Sequence, residues 1–206
     1  MKIESVSQKA DRAGQYYLKL SDGCVLRLYP QTVAEFHLYA GRELEAEELE
    51  ALRQAAGAVS AKMRAVRIVS ASAVSARDLE RRLRRKGEAD AQAAVAWMEE
   101  LQLVDDLDTA RQLVRRGLAR GYGPGRLRQM LYEKQIPKTL WDQVLEDLPE
   151  PDEAIAAFLD RRLSPEPDRK ELQKTIDALL RRGFAWQDIR RCLAQRGESV
   201  DGEPEE

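Results

Sequence analysis

The chain has 206 residues, with 34 lysines and arginines against 36 aspartates and glutamates, and 43% of its side chains are apolar. That apolar fraction can build a core, and the charged fraction of 34% lies above the globular average of about 25%. The near balance of charge excludes the uniformly positive field of a non-specific nucleic-acid binder.

The first twenty residues lack the apolar core of a signal peptide, and no apolar run approaches the roughly 18 residues needed to span a bilayer, so a cytoplasmic protein with no membrane partner is expected. Cys24 and Cys192 stand far apart without companions, which excludes a zinc site or disulfide framework and predicts two buried reduced thiols. Residues 15–29, "QYYLKLSDGCVLRLY", alternate in the manner of strands around Asp22-Gly23, whose backbone supplies the positive angles of a tight hairpin turn. After Pro30 the apolar spacing becomes helical in "TVAEFHLYAG" and "EAEELEALRQAAGAVSAKMRAVRIVSA", and it stays helical to the end.

Beyond residue 60 the chain repeats itself. Gly87 closes "LRRKGE", Gln135 closes "LYEKQI" and Gly183 closes "LLRRGF", two steps of 48 residues. In that register Leu83, Leu131 and Leu179 superimpose, as do Lys86, Lys134 and Arg182. Each closing motif ends an amphipathic stretch, and a further helix marked by Trp97, Trp141 or Trp186 follows. Ser75 with Asp78 resembles a capping box, Gly123-Pro124 starts a helix, and "SPEPD" at residues 164–168 interrupts one.

The expected fold is therefore mainly α: tandem three-helix repeats in a curved elongated array behind a small N-terminal β-hairpin and helical segment. The segments expected are 1–57 with the hairpin, three-helix repeats at 58–103, 104–149 and 150–197, and an acidic tail at 198–206. A long helical face leans toward binding rather than chemistry.

Three segments carry a resemblance to a known family: "VSARDLERRLRRKG" at residues 74–87, "LQLVDDLDTARQLV" at 101–114 and "YGPGRLRQMLYEKQI" at 122–136. A fourth, "LLRRGFAWQDIRRCL" at 179–193, looks like a closing repeat. With Asp105-Asp106, Ala110, Gly123-Pro124, Arg126-Leu127, Leu131 and Lys134 in register, the chain resembles the RecX family, bacterial regulators of the RecA recombinase. Gln135 stands where that family usually carries glycine. The resemblance implies a non-enzymatic, monomeric protein without cofactor. It would occupy the groove of the RecA filament on single-stranded DNA and damp ATP turnover, strand exchange and the coprotease activity of the SOS response.

Two basic clusters are the candidate partner-binding residues. The first is Arg77, Arg81, Arg84 and Arg85 along the side of one helix; the pair Arg81 and Arg85 does not recur as a pair, its equivalents being Gln129 with Glu133 and Asp177 with Arg181. The second is Arg115, Arg116, Arg120, Arg126 and Arg128 around "GYGPG", facing acidic RecA surface or DNA phosphate. A solvated face is the bland alternative for the first. Lys86, Lys134 and Arg182 read first as cations offsetting helix dipoles, with partner binding as the alternative, and Lys134 stays among the candidates. "GYGPG" lacks the lysine and hydroxyl of a phosphate-cradling loop and suits a tight junction between repeats.

Asp105 and Asp106 cap a helix rather than hold a metal, His37 has no catalytic company, and the tryptophans belong to packing. No catalytic, metal or cofactor residue is expected. Besides the filament regulator, two readings stand open: a direct DNA-binding protein of helix-turn-helix-like repeats, with DNA contact through the basic faces, and a helical scaffold for another protein.

Overall fold

A computed structural model describes residues 1–8 and 14–198. The chain divides into two compact units, Met1–Asp105 and Asp106–Glu206. Apart from Glu198, the acidic tail lies outside the described residues.

The first unit opens with three antiparallel strands in sequential order, β1 (Ile3–Gln8), β2 (Tyr16–Leu20) and β3 (Val25–Leu28). The β2–β3 hairpin follows the alternation of the sequence, whereas β1 adds a strand that the alternation did not reveal. "IESVSQ" buries only Ile3 fully, and its pairing with β2 shifts register between Ile3 and Ser5, so no clean period of two is left to read. The hairpin turn also differs from expectation. Of Asp22 and Gly23 only Gly23 has a positive φ, 83°, and the Leu20 amide donates to the Cys24 carbonyl across a three-residue loop. That is the geometry of a turn closed by a left-handed glycine, not of a two-residue turn. Asp22 instead accepts from the Cys24 amide through its side chain. Cys24 is half-buried rather than buried, and only Cys192 lies in a core; both are free thiols.

Behind the sheet, α1 (Pro30–Glu35) is followed by α2 (Ala46–Ala71), a continuous helix of 26 residues. Leu49, Leu52 and Ala56 pack with Ile3, Leu18, Leu20 and Leu28, while Ala61 and Ala65 pack with Leu79, Leu83, Ala94 and Met98 of α3 (Ala76–Arg85) and α4 (Ala91–Glu100). One helix thus serves two cores, and the boundary expected after residue 57 falls inside it. The small side chains along α2 let α3 and α4 approach its backbone closely.

The second unit holds α5 (Asp106–Ala119), α6 (Pro124–Glu133) and α7 (Trp141–Leu145), the last preceded by a 3-10 turn at Lys138–Leu140. Then come α8 (Pro151–Arg162), α9 (Arg169–Arg181) and α10 (Trp186–Gln195). Leu127 and Leu131 centre the core of α5–α7, and Ile155, Leu159, Ile176, Leu179 and Ile189 that of α8–α10. Gly117 lets α5 and α6 meet, since a Cβ there would lie 2.2 Å from the Leu127 side chain.

The 48-residue register is visible atom by atom. Leu83, Leu131 and Leu179 have no accessible surface. Lys86, Lys134 and Arg182 are the C-cap residues of α3, α6 and α9, and Gly87, Gln135 and Gly183 follow with φ of 80°, 56° and 86°. In each case the next amide returns to the buried leucine carbonyl: Glu88 to Leu83 at 3.2 Å, Ile136 to Leu131 at 3.0 Å, Phe184 to Leu179 at 3.3 Å. This is the Schellman arrangement, which satisfies the carbonyls that a helix end leaves open.

The residue after each left-handed position is buried. Ile136 and Phe184 are apolar there, but the first repeat places Glu88, whose Oε1 accepts from Ser60 Oγ at 3.2 Å and Arg64 Nε at 2.5 Å of α2. A buried carboxylate is tolerable only with such partners.

Candidate functional site

The first basic surface lies on α3. Ser75 Oγ accepts from the Asp78 amide at 3.1 Å, as the capping-box reading expects. Asp78 is itself buried, with 1% of its side chain exposed, and draws two of the basic residues inward. Arg81 Nη2 donates to Asp78 Oδ1 at 2.5 Å, and Arg82 Nη2 stands 2.8 Å from Oδ2 without hydrogen-bond alignment. Arg84 pairs with Glu80 at 2.6 Å on the surface. Arg77 and Arg85 are exposed and carry no ion pair among the described residues. Arg81 therefore helps compensate a buried charge, while Arg77 and Arg85 offer their guanidinium groups outward.

The second surface is spread over α5 and α6. Arg115, Arg116, Arg120 and Arg128 are exposed. Arg126 is half-buried, over the Tyr122 ring at 5.9 Å and 3.4 Å from Glu133. Lys134 is half-buried at its C-cap. Tyr132, one turn beyond Arg128, is 70% exposed, an aromatic on this face that sequence reasoning passed over because it lies off the apolar stripe of α6.

"GYGPG" forms the junction between α6 and the end of α9. The Gly123 amide donates to the Arg182 carbonyl at 2.8 Å and the Gly125 amide to the Gly183 carbonyl at 2.9 Å. Two free amides at the start of α6 are thereby satisfied by two free carbonyls at the end of α9, positive dipole end to negative. A Cβ on Gly123 would lie 2.6 Å from the Gly183 oxygen, so only glycine permits this approach. Arg182 is more than a helix-end cation: its Nη1 donates to the Arg120 carbonyl at 2.7 Å and the Gly121 carbonyl at 3.2 Å, with the guanidinium over the Phe158 ring at 4.8 Å.

Elsewhere, Arg191 on α10 donates to Asp152 at the start of α8 and to Asp188. That hydrogen bond, with the guanidinium charge behind it, lowers the Asp152 pKa against a smaller opposing effect of desolvation. Among the described residues no group of acidic, histidine and cysteine side chains could hold a metal ion, and no helix is long and apolar enough to cross a membrane.

Comparison with known proteins points to one family. The second three-helix domain of RecX matches residues 105–145, and its third three-helix domain matches residues 152–193. Regulatory protein RecX of Clostridioides difficile (strain 630) is 25% identical over 199 residues, covering 93% of this chain and 92% of that protein. Residues 105–145 and 152–193 carry RecX three-helix domains. Regulatory protein RecX of Vibrio parahaemolyticus serotype O3:K6 (strain RIMD 2210633) is 27% identical over 151 residues, 71% of this chain and 97% of its own length. Among solved structures, a crystal structure of regulatory protein RecX superimposes with a TM-score of 0.62 at 22% identity, over 94% of this chain and 98% of that one. RecX from Lactobacillus salivarius superimposes at 0.60 and 18% identity, over 69% and 98%. At those identities the structures show the shared fold: RecX three-helix domains behind a small sheet. The matched relatives are named regulatory proteins, and that name supports a regulatory role for this chain.

Proposed function

We propose that this protein is a non-enzymatic regulator that binds the RecA filament on single-stranded DNA in the cytoplasm and lowers its ATP turnover, strand exchange and coprotease activity. The observation that carries the reading is the match of two consecutive domains to RecX along α5–α10. The exposed guanidinium groups of Arg77 and Arg85, and of Arg115, Arg116, Arg120 and Arg128, supply charge for acidic protein surface or for phosphate. Regulation by occupancy needs no catalytic group.

Direct DNA binding is the second reading, favoured by Tyr132 standing exposed one turn from Arg128, since base stacking and phosphate contact often occur together. Fluorescence anisotropy on naked and on RecA-coated single strands separates the two. The filament reading expects much tighter binding to the coated strand. Equal or tighter binding to the naked strand, collapsing steeply with salt, would replace it by the DNA-binding reading.

A further inference from the structure

The residue Arg182 joins three things that its place at a helix end does not require. Its backbone carbonyl accepts from Gly123, its guanidinium donates to the Arg120 and Gly121 carbonyls, and the same guanidinium lies over Phe158. The turn from α5 to α6 is thus held from both sides by one residue about sixty positions away in sequence. The carbonyls it reaches are those left open at the C-terminal end of α5, where positive charge is favourable. Arg120 and Arg126, which flank that turn, belong to the second basic surface.

We infer that Arg182 is a positioning residue: it latches the α5–α6 turn to the end of α9, so that the basic side chains on α5 and α6 are presented to a partner in one fixed arrangement. The latch depends on the planar guanidinium, because Nη1 serves both carbonyls while the plane of the group covers the Phe158 ring. A lysine would keep the charge but has no plane to lay on the ring while its ammonium reaches the carbonyls. The Gly123 and Gly125 amides report directly on the joint, since they exchange with solvent only when it opens. The glycines of the joint have no counterpart 48 residues earlier, where Ser75 and Arg77 stand, so this joint is not a general property of the repeat.

The role in presentation rests on the proposed binding to the RecA filament; the latch itself does not. The test compares full-length protein with Arg182→Ala, Arg182→Lys and, as a control on the exposed neighbouring charge, Arg181→Ala. Amide exchange at Gly123 and Gly125 by NMR and suppression of the RecA ATPase are measured on each. Arg182→Ala is expected to speed exchange at both glycines about tenfold or more and to weaken suppression. Arg182→Lys should resemble it in exchange, and Arg181→Ala should match the wild type in both. Should alanine unfold α8–α10, the lysine variant carries the comparison. Wild-type exchange in Arg182→Lys would mean that a helix-end charge suffices, and would overturn the latch. Faster exchange with undiminished suppression would overturn the role in presentation. If the wild-type protein itself leaves the ATPase unaltered, the filament reading fails, and the exchange rates still decide the latch.

Discussion

The Gly125 amide donates to the Gly183 carbonyl at 2.9 Å, and a Cβ on Gly183 would lie 2.1 Å from the Arg126 amide nitrogen. Gly183 and Gly87 share a left-handed backbone, yet nothing stands within 4 Å of a Cβ on Gly87. Gly87→Ala should therefore cost only the left-handed penalty of about 1–2 kcal/mol. Gly183→Ala should cost about 2 kcal/mol more, because backbone must move. Gln135→Gly, at φ 56°, should stabilise by up to about 1 kcal/mol. Urea unfolding of the three variants measures the order, and equal costs at residues 87 and 183 would contradict the joint.

The inaccessible leucines are the mark of the repeat. Alanine at Leu83, Leu131 or Leu179 should each destabilise by about 2–5 kcal/mol through lost contacts and a residual cavity. Thermal or urea unfolding reads the loss. A variant that melts like the wild type would show that its position is not a core position.

Arg81 and Arg85 look alike in sequence and differ in structure. Arg81→Glu sets a carboxylate beside the buried Asp78 and should destabilise by about 1 kcal/mol or more. Arg85→Glu should leave the unfolding midpoint within about 0.5 kcal/mol of wild type. The proposed binding face is thus better tested at Arg77 and Arg85. Equal midpoints for the Arg81 and Arg85 variants would mean that Arg82 alone compensates Asp78.

Asp152 carries the clearest pH effect. Its pKa is lowered in the folded protein by the hydrogen bond from Arg191, so folding favours the ionised form. The stabilisation is complete above the ordinary aspartate value of about 3.9. It is lost as pH falls through the lower folded value, because the unfolded chain then binds the proton first. Asp152→Asn should flatten the acid limb of a stability-against-pH curve and leave the neutral region sloping as before. An unchanged acid limb would contradict the pairing.

Much of this architecture was legible because helices announce themselves through spacing. The offset of 48 placed Leu83, Leu131 and Leu179 in cores and even identified Gln135 as the equivalent of two glycines. What escaped the sequence was of two kinds. Short, mixed segments such as "IESVSQ" carry too little alternation, and their pairing is decided by a partner strand elsewhere. Polar residues change meaning on burial: Asp78 was legible as a cap but not as a buried charge drawing in Arg81 and Arg82, and Glu88 holds an apolar position because Arg64 and Ser60 reach it from α2. Of the candidate site, the residue types were legible and their availability was not. Arg182 read as a helix-end cation, since nothing local points to carbonyls at residues 120 and 121.

The most direct measurement of the central claim is the single-stranded-DNA-dependent ATPase of RecA from the same organism, titrated with this protein. Suppression at substoichiometric protein is the result that the proposed filament binding predicts. An ATPase that stays unchanged at equimolar protein would contradict the account.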